Sequence, residues 1–324
     1  PLHGTGIRFI PLALKSWGYN QIQLVTDQSI PDGNFSNAQS PNPEEPSSLI
    51  LGTKQLSAQH ADLFIATDPD ADRIGVVSSE GIQFSGNQIA CLLLDHICKS
   101  KPLSSNAAFI KTIVTTELFR KIAENYGGTC IDVLTGFKYI GEKITEWEKT
   151  KEFEYVFGAE ESCGYLSGTF IRDKDAVSSA CLIVEATAAA KANQMTLLEA
   201  LYALYKRYGV YRDQLINLKF KDSPEGMQQI EDMMRKYRSN PPSSINALKV
   251  TKIEDFTEGL FSLPPSNVIR LWLEDNSKIV IRPSGTEPKV KIYIEVSSKP
   301  SNDLENQISQ CDEKLKKIEN FFRN

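Results

Sequence analysis

The chain has 324 residues, of which 41% are hydrophobic and 24% are charged, and its net charge is −5. This length predicts two or three domains, and the composition is that of an ordinary globular protein. The negative charge argues against a nucleic-acid partner, which needs a basic face. The sequence also shows no apolar run of about 18 residues that would predict a membrane span. The six cysteines have no metal or redox spacing and no signal-peptide pattern opens the chain, which together predict a cytoplasmic protein.

The first 84 residues are predicted to alternate helices with short strands. A stretch rich in Ser, Asn, Pro and Asp covers 28–47, and loops of this length in compact domains are often functional. Two short apolar runs predict buried strands on either side of a polar loop at 67–73. The predicted elements are helices at 7–18 and 47–60 and strands at 22–25, 63–66 and 74–77.

Residues from Ser85 to about 208 alternate strand and helix patterns more regularly. Such alternation indicates an α/β layer architecture. The predicted elements are helices at 86–98, 115–126, 138–149, 175–192 and 196–208 and strands at 107–114, 129–134 and 155–157.

The pattern changes after about residue 210. Ser223, Pro224 and Glu225 form a good helix start, with an N-cap, a proline in the first turn and an acid beside it. Four strands and a closing amphipathic helix follow, which predicts a separate α+β domain. These elements are strands at 247–252, 268–273, 278–282 and 289–296 and a helix from about 302.

The sharpest local signal is an acidic run from Asp68 to Arg73. Its three carboxylates alternate within five residues, and like charges this close repel each other unless a cation lies among them. Such oxygen ligands suit a hard divalent ion, with waters or phosphate oxygens completing the shell. The run is not an EF-hand, because Arg73 and Ser79 occupy the positions that need Gly and Glu. It predicts a metal loop, and a solvated acidic turn is the alternative.

A second polar loop joins two predicted strands near the C-terminal end. Ser284, Gly285 and Thr286 offer consecutive backbone N–H groups and two hydroxyls, which can form an anion-binding nest. Arg282 and Lys289 add positive charge at its ends. The spacing is not that of a Walker A loop. The loop predicts a phosphate site, with a plain polar strand connection as the alternative.

A third loop follows an apolar strand-like run. Glu160, Glu161 and Ser162 lie between glycines, and paired carboxylates with a hydroxyl can hold sugar hydroxyls. Arg172 and Lys174 precede a predicted helix and could supply cations. Taken alone this pattern also fits a charged surface loop and an ordinary helix N-terminus.

The order and residue types of the three loops together resemble the α-D-phosphohexomutase superfamily. Residues 68–73 resemble its metal loop, 160–162 its sugar-recognition loop and 282–289 its phosphate loop. The similarity is greatest to the bacterial phosphoglucomutase/phosphomannomutase branch, which lies near the phosphopentomutases. Supporting stretches are 1–6, 40–44, 111–115 and 134–138.

The resemblance implies a fold and a domain organisation. The superfamily has four domains around a cleft, and this chain would hold most of the second, all of the third and the fourth. The expected fold is therefore α/β, with two consecutive α/β phosphohexomutase-type domains followed by a C-terminal α+β domain. The expected boundaries are 1–84, 85–208 and 209–324.

The resemblance also implies an activity and roles for individual residues. The family interconverts hexose 1-phosphate and hexose 6-phosphate through a bisphosphorylated intermediate, with Mg²⁺ as cofactor and glucose 1,6-bisphosphate as activator. Phosphoryl transfer depends mainly on positioning and charge stabilisation. Asp68, Asp70 and Asp72 would bind the metal; Arg73, Lys111 and Lys174 are catalytic candidates; and Glu160, Ser162, Arg172, Lys174, Thr135, Gly136, Arg282, Ser284, Gly285, Thr286 and Lys289 would bind the substrate, with His3 close to the site.

The family nucleophile, a phosphorylated serine in a Thr-Ala-Ser-His-Asn-Pro type of motif, has no counterpart in this sequence. Ser40 lies in the nearest similar segment, but that segment matches a second-domain stretch of the family whose serine does not carry the phosphate. Together with the start at Pro1, this predicts that the chain is an incomplete, inactive portion of a mutase.

Several alternatives stay open at this stage. The sugar could be glucose, mannose or a pentose, because no residue is assigned to the 2-hydroxyl that distinguishes the two hexoses. A non-catalytic sugar-phosphate-binding module is a second possibility, and a phosphatase that uses Asp68 as nucleophile is a third. The oligomeric state is not predicted.

Overall fold

The computed structural model describes residues 1–285 and 287–323. Its chain divides into two compact units, Pro1–Ala203 and Leu204–Asn324. Both mix helices and strands, which confirms the predicted α/β class. Within the described ranges, no helix is both long and apolar enough to cross a membrane.

The first unit begins with two helices and a hairpin. Pro46 occupies the first turn of α2, where its missing N–H costs nothing, and His60 ends this helix in the left-handed conformation. The two strands pair antiparallel, with Leu63 opposite Ser78 and Thr67 opposite Ile74. The hairpin therefore presents residues 68–73 as its connecting loop. These elements are α1 (Gly6–Ser16), α2 (Pro46–Gln59), β1 (Leu63–Thr67) and β2 (Ile74–Ser78).

A four-stranded mixed sheet forms the rest of this unit, in the order β4-β3-β5-β6. β3 is parallel to β4 and β5, and β6 returns antiparallel to β5. Apolar residues of the sheet and of α5 form one buried cluster, which includes Ile110, Ile144 and Trp147. The elements are α3 (Gly86–Ser100), β3 (Ala107–Thr112), α4 (Glu117–Asn125), β4 (Thr129–Val133), α5 (Phe137–Thr150), β5 (Glu154–Glu160), β6 (Gly164–Ser167), α6 (Ala176–Ala192) and α7 (Leu197–Tyr208), the last of which runs into the second unit.

Polar caps fix where the helices of this unit begin. Ser85 and Gln88 form a reciprocal capping box at the start of α3. Thr116 caps α4 through Leu118 N–H, and Asp175 caps α6 through two backbone N–H groups. The capping residues are the last residues of loops 79–85, 113–116 and 168–175. Each cap therefore fixes the end of its loop to the helix that follows.

The second unit is built on a six-stranded antiparallel sheet in the order β7-β12-β11-β10-β9-β8. Ser223 caps α8 through Gly226 N–H at 3.3 Å, as its sequence predicts, and α9 packs against β7 and β12. The elements are β7 (Tyr211–Lys219), α8 (Pro224–Ser239), β8 (Ser244–Ile245), β9 (Leu248–Asp255), β10 (Ile269–Leu273), β11 (Lys278–Pro283), β12 (Lys289–Ser297) and α9 (Leu304–Arg323).

The structure corrects the element predictions in a few places. The strand predicted at 22–25 is wrong, because these residues pair with no other strand among the described residues. The sequence also missed β6, β7 and the short β8. β7 lies at one edge of its sheet and mixes polar with apolar residues, a weaker signal than the apolar runs of the buried strands.

Candidate active site

The predicted metal loop, residues 68–73, is stabilised by its own first carboxylate. Asp68 is 1% exposed, and its Oδ1 accepts the backbone N–H groups of Asp72 at 3.1 Å and Arg73 at 3.0 Å. Its Oδ2 accepts Arg73 Nε at 2.7 Å. Burial acts to raise the pKa of Asp68, but these hydrogen bonds and the positive charge of Arg73 outweigh it and leave that pKa below its ordinary value. Asp68 is thus held ionised.

Asp72 lies in a different environment. Burial, reinforced by the neighbouring Asp68, raises the pKa of Asp72 to about 6, although Lys174 opposes the shift. Lys174 Nζ lies 2.8 Å from Asp72 Oδ2. The other oxygen, Oδ1, is buried and accepts no hydrogen bond from any described residue, with Arg73 Nε 3.7 Å away. A buried acceptor without a donor is costly, so this atom is suited to a bound cation.

The three carboxylates can be tested as a metal site. One oxygen each of Asp68, Asp70 and Asp72 lies within 4.8 Å of the others. Mg²⁺–oxygen bonds of about 2.1 Å place opposite ligands of an octahedron about 4.2 Å apart, so the separation requires only a small adjustment. The donor set, all carboxylate oxygen, is the one that hard divalent ions prefer. The residues present therefore fit such an ion.

Arg73 acts as a clamp behind the metal loop. Besides Asp68, its guanidinium donates to Glu44 Oε1 at 3.0 Å and approaches Asn42 Oδ1 at 3.5 Å. Arg73 was predicted to be catalytic, and the structure directs its side chain to these partners. Asn42 and Glu44 lie in the stretch at 40–44, which supports the resemblance and has no role predicted from the sequence.

The predicted metal loop is joined directly to the end of the predicted sugar-recognition loop. Ile74 N–H donates to Cys163 O at 3.1 Å, and Arg73 forms an isolated bridge with Gly164. Ala176 N–H also donates to Ala71 O at 3.2 Å. The structure thus brings together two loops that lie about 90 residues apart in the chain, through backbone hydrogen bonds that the sequence does not reveal.

Glu160 and Gly136 are joined by a hydrogen bond. Glu160 ends β5 and is buried, and its Oε1 accepts Gly136 N–H at 2.8 Å. Thr135 Oγ1 beside it is buried without a hydrogen-bond partner in the described chain. Ser162 lies in the turn between β5 and β6. These groups provide hydrogen-bonding capacity for a polyhydroxylated ligand.

Glu161, next to the recognition loop, has a strongly shifted acidity. Burial, with Glu160 adding repulsion, raises the pKa of Glu161 to about 7, against a hydrogen bond from Thr112 Oγ1 at 3.1 Å. The backbone here is also tightly packed, since a Cβ at Gly86 would lie 2.0 Å from Glu161 O. The first residue of α3 therefore packs closely against the backbone of this loop.

The two cations predicted at 172 and 174 have different neighbours. Lys174 lies beside Gly164, where a Cβ would come within 2.2 Å of its Cδ, and reaches the metal loop through Asp72. Arg172 instead pairs with Glu148 and donates to Thr145 Oγ1 at 3.1 Å on α5. The structure therefore brings Lys174, but not Arg172, to the acidic cluster.

The Lys111 side chain is held by two carboxylates outside the acidic cluster. Its side chain is fully buried, and its Nζ lies 2.9 Å from Glu117 Oε1 and 3.0 Å from Asp132 Oδ1. Arg120 pairs with both carboxylates as well. Burial acts to lower the pKa of Lys111, but Asp132 and Glu117 outweigh it and raise that pKa above its ordinary value. Lys111, which the resemblance makes a catalytic candidate, is thus enclosed by Glu117 and Asp132 in this structure.

The N-terminal turn supports the metal loop from outside. Thr5 N–H donates to Pro69 O at 2.8 Å, and a Cβ at Gly4 would lie 2.3 Å from Pro69 Cα. His3, expected near the site, uses both ring nitrogens elsewhere, with Nδ1 2.8 Å from Ile30 O and Nε2 accepting Asn37 N–H at 3.3 Å. Gly4 and Thr5 belong to the stretch 1–6 that supports the resemblance, but their contact with Pro69 was not predicted from the sequence.

The predicted phosphate loop lies in the second unit, between β11 and β12. Ser284 N–H donates to Lys289 O at 2.8 Å, which closes the hairpin, and Lys289 Nζ pairs with Glu287. Gly285 is exposed, and a Cβ added there would have open space around it. Arg282 lies near the end of β11. Thr286 lies outside the described residues.

Comparison with known proteins identifies three successive family domains. Residues 1–81 match the model of phosphoglucomutase/phosphomannomutase alpha/beta/alpha domain II, residues 85–208 that of alpha/beta/alpha domain III, and residues 215–307 that of the C-terminal domain. Together these models cover most of the chain.

Individual relatives agree with the family models. The chain is 38% identical over 323 residues to the phosphoglucomutase of Staphylococcus aureus strain MSSA476, a match that covers 95% of this chain and 58% of that protein. Among solved structures, it resembles a phosphoglucomutase/phosphomannomutase family protein from Burkholderia thailandensis, with a TM-score of 0.67, 20% identity, and coverage of 99% of this chain and 58% of that one.

A putative phosphomannomutase from Thermus thermophilus has the same fold, with a TM-score of 0.65, 20% identity, and coverage of 97% of this chain and 59% of that one. The chain thus spans about 58% of the length of the curated relatives it matches. The order of the matched domains and the identity to the curated relatives establish that the chain belongs to the phosphoglucomutase/phosphomannomutase family.

Proposed function

We propose that this chain provides the metal-binding, sugar-recognition and phosphate-binding parts of a hexose phosphate mutase. The observation that carries the proposal is the acidic cluster joined by backbone hydrogen bonds to the sugar-recognition loop. The preferred substrate is taken to be glucose 1-phosphate, because the curated relatives are phosphoglucomutases. The proposed domains are 1–84, 85–208 and 209–324, and the proposed compartment is the cytoplasm.

The metal part of the proposal assigns Mg²⁺ to Asp68, Asp70 and Asp72. When bound, this ion would supply positive charge to the oxygens of a phosphoryl group. The protein would hold the metal ligands in position. Arg73 binds Asp68 and Lys174 binds Asp72, which orients these two carboxylates. Such supporting contacts orient metal ligands and affect metal affinity by about 10- to 100-fold.

The substrate part assigns sugar hydroxyls and the second phosphate to separate loops. Glu160, oriented by Gly136 N–H, would accept from sugar hydroxyls, together with Ser162 and Thr135. An intermediate such as glucose 1,6-bisphosphate has to bind in two orientations, which suits a few hydroxyl contacts and one strong anion anchor. The residues proposed to hold the phosphate that is not transferred are Arg282, Ser284, Gly285, Thr286 and Lys289, with Arg172 as a further candidate.

Calorimetric titration of the chain with Mn²⁺ and then with glucose 1-phosphate tests the binding part. Asp70→Asn removes a ligand whose side chain is exposed, so we expect at least a tenfold loss of Mn²⁺ affinity with an unchanged fold, a loss of about the size seen for weakened metal sites. Asp222→Asn, also at an exposed position, is the matched control and should bind as the original chain does. Equal Mn²⁺ affinity in both variants would remove the basis of the metal assignment.

Turnover tests the catalytic part. Because the sequence has no counterpart of the phosphoserine motif, the chain with Mg²⁺ and glucose 1,6-bisphosphate is expected not to convert glucose 1-phosphate. Addition of the part of the Staphylococcus aureus enzyme that this chain does not cover should restore conversion. Robust conversion by the chain alone would contradict the proposed division of roles.

A further inference from the structure

A group of positively charged side chains lies beside the predicted phosphate loop, on one face of the second unit's sheet. Lys291 lies directly opposite Arg282 of β11, and Lys289 lies directly opposite Lys219 of β7. Residues paired in this way share a face of the sheet, as do positions two apart on one strand. Val290, between the two lysines of β12, points to the other face and is fully buried. We call Arg282, Lys219, Lys289 and Lys291 the basic strip.

The basic strip contains more positive charge than its neighbours neutralise. Like charges directly opposite each other on adjacent strands are destabilising, and the strip contains two such pairs. In the part of the chain that the structure describes, Lys289 forms a salt bridge with Glu287, whereas Arg282, Lys219 and Lys291 form none. The strip is therefore suited to bind a further anion.

Glu287 is the carboxylate that the loop itself places beside the basic strip. Lys289 N–H donates to Glu287 O at 2.7 Å, and Phe220 N–H donates to Pro288 O at 2.8 Å, which ties this turn to the end of β7. The hydrogen bond from Lys289 holds the pKa of Glu287 below its ordinary value, and the charges of all three lysines of the strip act in the same direction. The Glu287 side chain is nevertheless 59% exposed, so it can leave the strip without opening buried surface.

A phosphate monoester matches the basic strip better than a carboxylate does. The ester carries about −1.5 to −2 charges at neutral pH and three acceptor oxygens, whereas a carboxylate has one charge and two oxygens. Lysine is a point charge on a flexible stem, so Lys219 can contact an anion held beside its neighbour Lys289. Its charge already acts on Glu287, although it lies outside the loop.

We propose that Glu287 is an internal counter-ion of the phosphate site, which a phosphate monoester displaces, and that Lys219 of β7 is a further residue that holds this ester. The proposal rests on the phosphate role proposed above for Arg282 and Lys289 and adds two residues to that site. Displacement of Glu287 offsets part of the binding of every anion. An anion with a single charge only replaces one such partner by another, so the site selects the dianionic ester.

Titration of the chain with inorganic phosphate, followed by NMR, tests this site without sugar contacts. We expect Glu287→Gln to bind phosphate about fivefold more tightly, because an exposed ion pair contributes up to about that factor. Glu258→Gln removes an exposed carboxylate elsewhere in the same unit and should bind phosphate as the original chain does. Equal phosphate affinity of Glu287→Gln and this control would overturn the proposal.

The role of Lys219 is tested in the same titration. Lys219→Met should bind phosphate about fivefold more weakly at low ionic strength, and added KCl should shrink this difference, since salt screens exposed charges. Lys316→Met changes another exposed lysine of the same unit, on α9, and serves as the control. A loss in Lys219→Met no larger than in Lys316→Met would also overturn the proposal.

The side-chain carboxyl signal of Glu287 reports its displacement directly. In a chain labelled with ¹³C-glutamate, this signal is assigned by its absence from Glu287→Gln. Saturating phosphate should move it to the position that it has in Lys289→Met, where its ion pair is missing. A signal that phosphate leaves unchanged would show that Glu287 and the ester do not compete, contrary to the proposal.

Failure of this proposal can be distinguished from failure of the proposed function. Arg282→Met tests the phosphate loop itself and should weaken phosphate binding. If it does so while Glu287→Gln and Lys219→Met match their controls, the proposed phosphate loop stands and its extension is wrong. If the original chain shows no saturable phosphate binding, both are wrong, and the Mn²⁺ titration of Asp70→Asn still tests the metal site separately.

Discussion

At the scale of single residues, the acidic loop depends on side chains that hold its ligands. Arg73 reaches Asp68 through Nε and both Glu44 and Asn42 through an Nη atom, which a planar guanidinium can do and a lysine ammonium cannot. We therefore expect Arg73→Lys to lower Mn²⁺ affinity about tenfold.

The control for this change is Arg235→Lys, which alters an exposed helical pair and should give the original affinity when titrated with Mn²⁺. If the Arg73→Lys variant bound Mn²⁺ as tightly as this control, Arg73 would not be the residue that positions Asp68.

Glu161 makes stability depend on pH. Because its pKa is raised to about 7 in the folded chain, the folded state binds this proton more tightly than the unfolded state. The stability it contributes is fully present below its ordinary value of 4.5 and is lost as pH rises through about 7. For this partly buried group we expect a loss of about 1–2 kcal/mol over that window.

Urea denaturation of Glu161→Gln at a series of pH values checks this expectation. The variant should lose less stability than the original chain between about pH 5 and pH 8. Asp72, whose pKa is raised to about 6, titrates in the same window, so the informative quantity is the difference between the two proteins. Parallel curves would contradict a titrating Glu161.

Lys111 is expected to matter for stability rather than for chemistry. Lys111→Met leaves Glu117 and Asp132 with fewer positive partners in a buried site, and breaking such a network costs about 3 kcal/mol. We expect that loss in urea denaturation, with Mn²⁺ affinity changed less than twofold. Lys149→Met, at an exposed position, serves as the control. A stable Lys111→Met variant that had lost substrate binding would place Lys111 in the catalytic set.

At the scale of elements, most of the fold follows from patterns within the sequence. Buried strands such as β1, β2 and β11 are continuous apolar runs, and caps such as Ser85 and Ser223 mark helix starts, so these elements are predictable. Residues 22–25 have the composition of a strand but no partner among the described residues. Whether a segment pairs with another strand depends on its neighbours in space, which local composition does not determine.

In the candidate site too, features set by local sequence are predictable and contacts between distant segments are not. The proposed metal ligands Asp68, Asp70 and Asp72 are predictable because they alternate within one short loop, and the closeness of their oxygens follows from that spacing. The bond from Ile74 N–H to Cys163 O and the packing of Gly4 on Pro69 join distant segments through backbone atoms. Backbone contacts leave no side-chain signature, so the sequence could not reveal them.

Charge alone also misleads about which cations reach the site. Arg172 and Lys111 have the sign that a phosphate or a carboxylate cluster needs. Packing nevertheless directs Arg172 to α5 and Lys111 to a buried network with Glu117 and Asp132. The direction of a long side chain depends on its neighbours in space, which the local sequence does not specify.

The contact between the start of α3 and the recognition loop leaves no space for one additional methyl group at Gly86. A Cβ at Gly86 would overlap Glu161 O at 2.0 Å, so Gly86→Ala must move α3 or the loop. We expect a loss of about 2 kcal/mol or more, in the range of overpacked cores. Gly33→Ala adds a Cβ with nothing within 4 Å and should change stability by less than about 0.5 kcal/mol. Similar urea midpoints for both variants would contradict the tight packing.

At the scale of the whole molecule, the chain divides into two units that each have a core of their own. Units of this kind unfold as separate cooperative transitions. Trp17 and Trp147 report on the first unit and Trp272 on the second. We expect Trp272→Phe and the double variant Trp17→Phe/Trp147→Phe to show different urea midpoints by fluorescence. Trp272→Phe leaves the two tryptophans of the first unit as reporters, and the double variant leaves only Trp272 in the second unit. Coincident midpoints would indicate that the chain unfolds as a single cooperative unit.

The bond from Ile74 N–H to Cys163 O also bears on how the protein moves. It crosses the proposed boundary at 84/85 and is reinforced by the Arg73–Gly164 bridge and by Lys174 on Asp72. Residues 68–74 and 160–164 cannot separate without breaking these backbone hydrogen bonds. We therefore expect no hinge motion between these two segments. We therefore expect the loops at 68–73 and 160–164 to keep one relative arrangement when a ligand binds.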